Sequence, residues 1–470
     1  MPDGEGSDRG GPASANDPLD LAQPRRIHVV GIGGAGMSAI ATVLHAMGHT
    51  VTGSDLNPSA GLDRLLALGL EVVVGHRPEN VGQAEVVTIS TAVPAGNPEV
   101  VAARERGLPV LSRSDVLAAI AATRRTMAVA GTHGKTTTSS MLAQVLAEAG
   151  FQPSFIIGGE VNQFGTGAVW DDGEWLVVEA DESDGTFLQL RPEVAVVTSI
   201  EPDHLEHYGS FEALRVAFER FVGASGRVVV CADDAEGQAL TTGSAVTYGT
   251  SEGADYRMTD VVGHRSSVSF GVEHGGAVLG HVALPVPGLH NARNACGALV
   301  AGMAVGAPFD AGARALARYG GVARRFQFRG ERGGVSFVDD YAHLPSEVKA
   351  ALGAARDGGW RRVVCVFQPH RFSRTAALWA DFADAFTDAD VVVVTDVYDA
   401  GELPRPGVSG KLVVQAVLDA HPATAVAYLP DRKDWAPYLE RVLRPGDLCL
   451  TLGAGDLTRL PDEMLRRDAA

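Results

Sequence analysis

The strongest constraint on this chain is the segment Gly131-Thr132-His133-Gly134-Lys135-Thr136, which follows the apolar run Met127-Ala128-Val129-Ala130 and opens an alanine-rich helical pattern ending near Gly150. A strand, a glycine turn and a helix N-terminus in that order present backbone N–H groups and a favourable dipole to phosphate oxygens. Lys135 adds a point charge and Thr136 a hydroxyl suited to Mg2+, so the segment predicts an ATP user. The residue five before Gly134 is Val129, where the common phosphate loop has glycine, which leaves a plain strand-to-helix turn as the alternative at this stage.

A second glycine loop lies upstream. Ile27–Val30 runs into Gly31-Ile32-Gly33-Gly34-Ala35-Gly36 and then a helical stretch from Met37 to Met47. Thr50–Asp55 reads as the next strand, and Asp55 stands where a dinucleotide fold puts its ribose-binding carboxylate. Alone, this unit suggests an NAD enzyme, but the same geometry serves any pyrophosphate, including that of a UDP-sugar. A chain with both loops is explained by an ATP-dependent reaction on a nucleotide-linked substrate. An NAD-dependent oxidoreductase leaves the second loop unused, and a switch GTPase lacks a guanine-reading NKxD segment.

At 470 residues the chain is too long for one core, and roughly three domains of ~150 residues are expected. No apolar run reaches the ~20 residues that span a bilayer, and the polar start Met1–Asn16 is no signal peptide, so a cytoplasmic protein without membrane partners is expected. Cys231, Cys296, Cys365 and Cys449 are widely spaced and read as buried thiols rather than disulfides or a structural metal site. A net charge of −18 with no basic run interleaved with aromatics argues against nucleic acid.

Residues 1–24, rich in Gly, Ser, Asp and Pro, are expected to form a disordered tail, with folding starting near Arg26. Residues 25–122 alternate β runs (Ile27–Val30, Val72–Val74, Val86–Ile89) with helical ones (Ala60–Leu68, Glu99–Arg106, Ser114–Ala121), the pattern of a parallel α/β domain. Residues 123–321 form the ATP-binding domain, with strands Thr126–Ala130, Trp175–Glu179, Val194–Thr198 and Val228–Cys231 before a glycine-rich, less periodic stretch at 241–285. Residues 322–470 carry strands Val335–Val338, Val363–Phe367, Val391–Asp396 and Leu448–Leu452, with helical patterns at Ser346–Ala355 and Trp379–Phe386.

Ligands of a parallel sheet bind at strand carboxyl ends, so Glu179 and His204 should converge beside the phosphate loop. With the Thr136 hydroxyl they make a Mg2+ shell that water and ATP oxygens complete. The competing structural explanations are a carboxylate-rich helix N-terminus for the acidic cluster and a surface turn histidine for His204.

From about Ile27 to the C-terminus the chain resembles the Mur ligases, the peptidoglycan family that joins an amino acid to a UDP-muramyl carboxylate using ATP. The resemblance rests on GIGGAGMS at Gly31–Ser38, GTHGKTTT at Gly131–Thr138, EADESDGTFL at Glu179–Leu188 and EPDH at Glu201–His204. It continues through GLHNARN at Gly288–Asn294, RRF at Arg324–Phe326, DDYAH at Asp339–His343 and QPHRFSRT at Gln368–Thr375. It implies an α/β fold in three domains: N-terminal Rossmann-like, central P-loop ATPase-like and C-terminal Rossmann-like.

It also implies roles. Gly31, Gly33, Gly34, Gly36, Met37, Ser38, Asp55, Ser90 and Thr91 would hold the UDP-sugar. Gly131, Thr132, His133, Gly134, Lys135, Thr136 and Thr137 would hold ATP phosphates, His290, Asn291 and Asn294 the adenosine side, and Thr136, Glu179 and His204 the metal. Arg325 and Asp340 would close over the nucleotide from the third domain, and with Lys135, Glu179 and His204 make up the catalytic set. Tyr341, His343, His370, Arg371 and Arg374 would form an alanine pocket, where arginine grips a carboxylate through two parallel hydrogen bonds.

The implied substrates are UDP-N-acetylmuramate and L-alanine, the cofactors ATP and Mg2+, and the assembly a monomer or weak homodimer. The implied reaction passes through an acyl phosphate. The neighbouring branch, which attaches a whole tripeptide to the same UDP-sugar, typically has tyrosine where this chain has Ser183. Two further features stand out. Leu344 replaces the second histidine of the usual DDYAHHP, and no lysine occurs between Lys135 and Lys349 to serve as the carbamylated residue of some relatives.

Overall fold

The computed structural model describes residues 19–240 and 245–466. Residues 1–18 of the tail expected to be disordered lie outside them. The remainder of that tail is a correction: Leu21 is buried and Leu19 packs against the same core, so ordered chain precedes Arg26.

The N-terminal unit is a five-stranded parallel sheet of β1 (Arg26–Val30), β2 (Thr50–Asp55), β3 (Glu71–Val74), β4 (Val86–Ile89) and β5 (Val110–Ser112) in the order β3-β2-β1-β4-β5. Strand order reverses at β1, which opens a crevice at the carboxyl ends of β1 and β4. Gly31 turns the chain there with φ +79°, and a Cβ at this position would lie 3.1 Å from the Cβ of Ser90 after β4. The loop then feeds α1 (Ala35–Ala46), whose Met37, Ile40, Ala41, Val43 and Leu44 are buried at the helical spacing.

The central unit is a ten-stranded sheet in the order β15-β14-β13-β12-β11-β10-β6-β9-β7-β8. Its parallel part comprises β6 (Arg125–Ala130), β7 (Ser154–Val161), β9 (Trp175–Glu179), β10 (Val194–Val197), β11 (Arg227–Cys231) and β12 (Ala245–Gly249); β8 (Thr166–Val169) pairs antiparallel with β7. β6 and β10 are Val- and Ala-rich and buried along nearly their whole length, as a sheet covered on both faces requires. Each fully buried valine there contributes about 1.5–3 kcal/mol. Because β6 sits between β9 and β10, the loop after β6 is flanked by Glu179 on one side and Thr198–His204 on the other.

That loop opens α2 (Lys135–Glu148), buried from Thr136 through Leu146 and packed against α3 (Leu289–Ala304). The stretch at 241–285 left without strands by its weak periodicity is, from Ala245 onward, a correction. Besides β12 it forms the antiparallel meander β13 (Tyr256–His264), β14 (Ser267–His274) and β15 (Ala277–Leu284). Alternation on one face buries Val268, Phe270 and Val272, while glycines and bulges blur the pattern in sequence.

The C-terminal unit contains β16 (Gln327–Arg332), β17 (Val335–Asp340), β18 (Arg362–Phe367), β19 (Val391–Thr395), β20 (Val426–Leu429) and β21 (Asp447–Leu452), ordered β16-β17-β21-β18-β19-β20. Only β16 runs antiparallel to its neighbour. Its site-bearing helices are α4 (Pro345–Asp357) and α5 (Phe372–Leu378). The helix expected at Trp379–Phe386 is instead a 3-10 segment, Trp379–Asp384, in which Phe382 is buried and stacks near Phe367 and Phe386.

Candidate functional site

The phosphate loop is built by conformation before side chains. Gly134 caps α2 with φ +77°, a left-handed value, and a Cβ there would collide with the Asn294 side chain from α3. The first turn of α2 holds no acidic residue, so its positive dipole end is left for an anion. Lys135 folds back so that Nζ donates to the Gly131 carbonyl at 2.7 Å and to Glu182 Oε1 at 2.8 Å. Burial would push Lys135 down, but Glu182 and Asp181 outweigh it and hold the ammonium above its ordinary pKa. The lysine is charged and aimed.

Beside it, Thr136 Oγ1 donates to Glu179 Oε1 at 2.8 Å, and Glu179 Oε2 accepts from Gly158 N at 2.6 Å. His204 stands in a left-handed turn (φ +53°) with Nε2 3.2 Å from Asp203 Oδ2 and 4.0 Å from Glu182 Oε1. Thr136 and Glu179 therefore touch, while His204 joins the loop through Glu182. Among the described residues no group of three or more His, Cys, Asp or Glu side chains is placed to hold a metal ion. The hydroxyl and carboxylate are hard donors, which suits Mg2+ shared with phosphate oxygens.

Eight of the twelve nucleotide candidates, His133, Gly134, Thr137, His290, Asn291, Asn294, Arg325 and Asp340, line a cavity of about 330 Å³ between the central and C-terminal units; Gly131, Thr132, Lys135 and Thr136 are not on its wall. Burial, with Arg293 and Arg325 nearby, lowers His290 to about 4, so it is a neutral imidazole. His133 is the opposite case. Burial works against its charge, yet Glu201 and Glu347, each 3.2 Å away, raise it to about 10. Asp340 is raised to about 6 by burial, and its oxygens accept from the amides of Phe326 (2.6 Å) and Ala342 (2.7 Å). These contacts fix the connection that carries Arg325, whose guanidinium lies 5.4 Å from the Tyr341 ring centre.

A second cavity, of about 410 Å³, is walled by all three units. Gly34, Gly36, Met37, Ser90 and Thr91 come from the first, Asp181, Ser183, Asp184 and His204 from the second, and Arg371 from the third. Arg113, which no sequence signal marked, bridges the first two through Asp184 at 3.0 Å. The remaining sugar-nucleotide candidates are placed differently. Asp55 accepts from Gly33 N at 2.9 Å and so braces the loop, Gly31 packs on Ser90, and Gly33 and Ser38 line a separate cavity with Gly61 and Gly158.

The amino-acid candidates gather partly. His343 packs edge-on to Tyr341 and His370, and Arg374 Nη1 meets His370 Nδ1 at 3.1 Å. Burial lowers His343 to about 4 and His370 to about 3, so both are neutral. Arg374 also reaches Asp203 Oδ1 at 3.5 Å. Arg371 lines the three-unit cavity. Leu344 is buried, and its amide, like that of His343, donates to Glu347 Oε2.

Glu182, Asp184, Glu201, Asp203 and Glu347 were given no role from sequence. The first four lie inside acidic strand-end motifs, which was the available signal; nothing marked Glu347 apart from its place after a proline that opens a helix.

Three comparisons bear on this arrangement. The profile of the Mur ligase family, catalytic domain, matches residues 26–125, the Mur ligase middle domain 129–302, and the Mur ligase, glutamate ligase domain 324–455. The UDP-N-acetylmuramate–L-alanine ligase of Pelotomaculum thermopropionicum is 46% identical over 454 residues, 95% of this chain and 98% of that protein. The ligase of the same name from Geobacter is 46% identical over 449 residues, covering 94% and 97%. The crystal structure of a UDP-N-acetylmuramate–alanine ligase from Thermotoga maritima matches with TM-score 0.79 at 30% identity, covering 94% of this chain and 99% of that one. A murein peptide ligase from Psychrobacter arcticus shares the fold at 23% identity, TM-score 0.68, covering 95% and 100%.

Proposed function

The chain belongs to the Mur ligase family, and from its site we propose how it works as an ATP-dependent ligase that joins L-alanine to the lactyl carboxylate of UDP-N-acetylmuramate in peptidoglycan precursor synthesis. The observation that carries the mechanism is the cavity shared by the first glycine loop, the Asp181–His204 wall and Arg371, next to a phosphate loop whose lysine is held by Glu182. Substrate carboxylate, phosphoryl group and amino acid would meet there. Residues 25–122, 123–321 and 322–470 are taken as the sugar-nucleotide, ATP and amino-acid domains.

The carboxylate attacks the γ-phosphorus of ATP, giving an acyl phosphate and ADP. The amine of alanine then attacks the acyl carbon, and phosphate leaves from a tetrahedral intermediate. A carboxylate is a poor electrophile, so activation must come first. Little covalent work falls to the protein, and catalysis is positioning and charge stabilisation. Lys135 and Arg325 would spread the charge of the transferring group, the α2 N-terminus would receive phosphate oxygens, and neutral His290 with Asn291 and Asn294 would seat the adenosine. Mg2+, held by Thr136 and Glu179 with His204 close by, would supply electrostatic stabilisation of phosphate charge. We place the enzyme in the cytoplasm; among the described residues no helix is long and apolar enough to cross a membrane.

The test is release of ADP and phosphate with each substrate omitted in turn. Turnover is expected only with ATP, UDP-N-acetylmuramate and L-alanine together. Equal turnover with a tripeptide in place of alanine would overturn the substrate assignment.

A further inference from the structure

An α-amino acid brings two charges, separated by a single carbon, and a specific pocket must meet both. The candidates for that pocket, Tyr341, His343, His370, Arg371 and Arg374, supply cations and neutral rings but no anion. The anion comes from another domain. Asp203, in the turn after β10, is 9% exposed, and its Oδ1 lies 3.5 Å from Arg374 Nη2.

Of the other carboxylates nearby, Glu347 is filled: Oε2 accepts from the amides of His343 and Leu344, and the rings of His343 and His133 lie 3.2 Å from Oε2 and Oε1. Glu402 accepts from the amide and hydroxyl of Ser373 and faces Arg371 and Arg405. A carboxylate offers about four lone-pair positions. At Asp203 the His204 amide (2.8 Å), the His204 ring (3.2 Å) and Arg374 take three of them. One position is left, on a group with a cation beside it.

We propose that Asp203 receives the α-ammonium group of the incoming amino acid while Arg374 beside it receives the carboxylate. The assignment rests on reading the chain as an alanine-adding ligase. Its consequence is directional. With the carboxylate drawn to the third domain and the nitrogen to the second, the nitrogen is delivered on the His204 side, where the acyl phosphate would form, and it attacks as the free amine once the ammonium proton has passed to solvent. Asp203 thereby makes recognition of the amino acid depend on both domains, and compounds lacking an ammonium group, such as a 2-hydroxy acid, lose half of the grip.

Hydroxylamine separates this role from a structural one. It is a small neutral amine with no carboxylate, and it captures an acyl phosphate by forming a C–N bond as phosphate leaves, giving a hydroxamate. With ATP and UDP-N-acetylmuramate present, Asp203→Asn should raise the KM for L-alanine on the order of 100-fold, the scale of a lost charge-assisted contact. The KM for ATP should change little and hydroxamate formation should fall far less than alanine use, and Asp203→Glu should recover part of the alanine KM. A wild-type alanine KM in Asp203→Asn overturns the proposal. So does a parallel fall in hydroxamate formation, which would make Asp203 a prop for His204. A wild-type chain that forms neither ADP nor hydroxamate overturns the ligase reading, and the assignment with it.

Discussion

At the scale of single residues, the Lys135–Glu182 pair decides what a mutation reports. Glu182 is buried and Lys135 is 14% exposed, 2.8 Å away, so removing the lysine leaves a buried carboxylate without its partner, which costs up to about 3–5 kcal/mol. Lys135→Ala should therefore lose activity on the order of 1000-fold and also lower the melting temperature. Lys135→Ala combined with Glu182→Gln should restore stability but not turnover, which calorimetry and an ADP assay would separate. Recovery of turnover in the double variant would remove Lys135 from the chemistry. The two arginines of α5 and its cap should also part. Arg374→Lys loses a planar two-point grip and should raise the alanine KM alone, whereas Arg371→Lys, facing the three-unit cavity, should raise that of UDP-N-acetylmuramate as well. Identical profiles for the two variants would show that they share one pocket.

At the scale of elements, Gly134→Ala tests whether the phosphate loop is set by backbone. The left-handed φ costs a side chain about 1–2 kcal/mol, and the new Cβ would displace Asn294. A raised ATP KM with an intact UDP-sugar affinity is expected; unchanged ATP kinetics would show the loop to be adaptable. This loop was legible in sequence because glycine, lysine and threonine at fixed offsets have few other uses. The parallel strands were equally plain, since both faces are buried and apolar residues run without interruption, as in Val194–Val197. The meander Tyr256–Leu284 was not, because bulges between Thr259 and Val262 and between Val272 and Glu273 break its period-two pattern. The site was legible to the same degree. Motif residues such as Glu179 sat at predictable strand ends, whereas Arg113 and Glu347 act across units, and no spacing within one segment encodes a contact between segments 71 residues (Arg113–Asp184) or 214 residues (His133–Glu347) apart.

At the scale of the whole molecule, catalysis should require the third domain over the phosphate loop, and alongside the Ser346–Glu201 and Arg374–Asp203 contacts His133 is one of the residues that join the two. Its ring lies between Glu201 of the central unit and Glu347 of α4, with the Ser346 hydroxyl 3.0 Å from Nε2; His290 nearby is neutral, and Arg325 draws on Glu347. The folded pKa of His133, about 10, stands above the ordinary 6.5, so its stabilisation is complete below pH 6.5 and is lost as pH rises through 10. The closed arrangement should loosen over that window. Solution scattering with an ATP analogue and UDP-N-acetylmuramate should give a larger radius at pH 10 than at pH 6.5 for the wild type. His133→Asn, which cannot titrate, should give a larger radius at both values with little change between them. If wild type and variant expand equally between the two values, the charge holding the domains together lies elsewhere, and the His133–Glu347 contact is a consequence of closure rather than a cause.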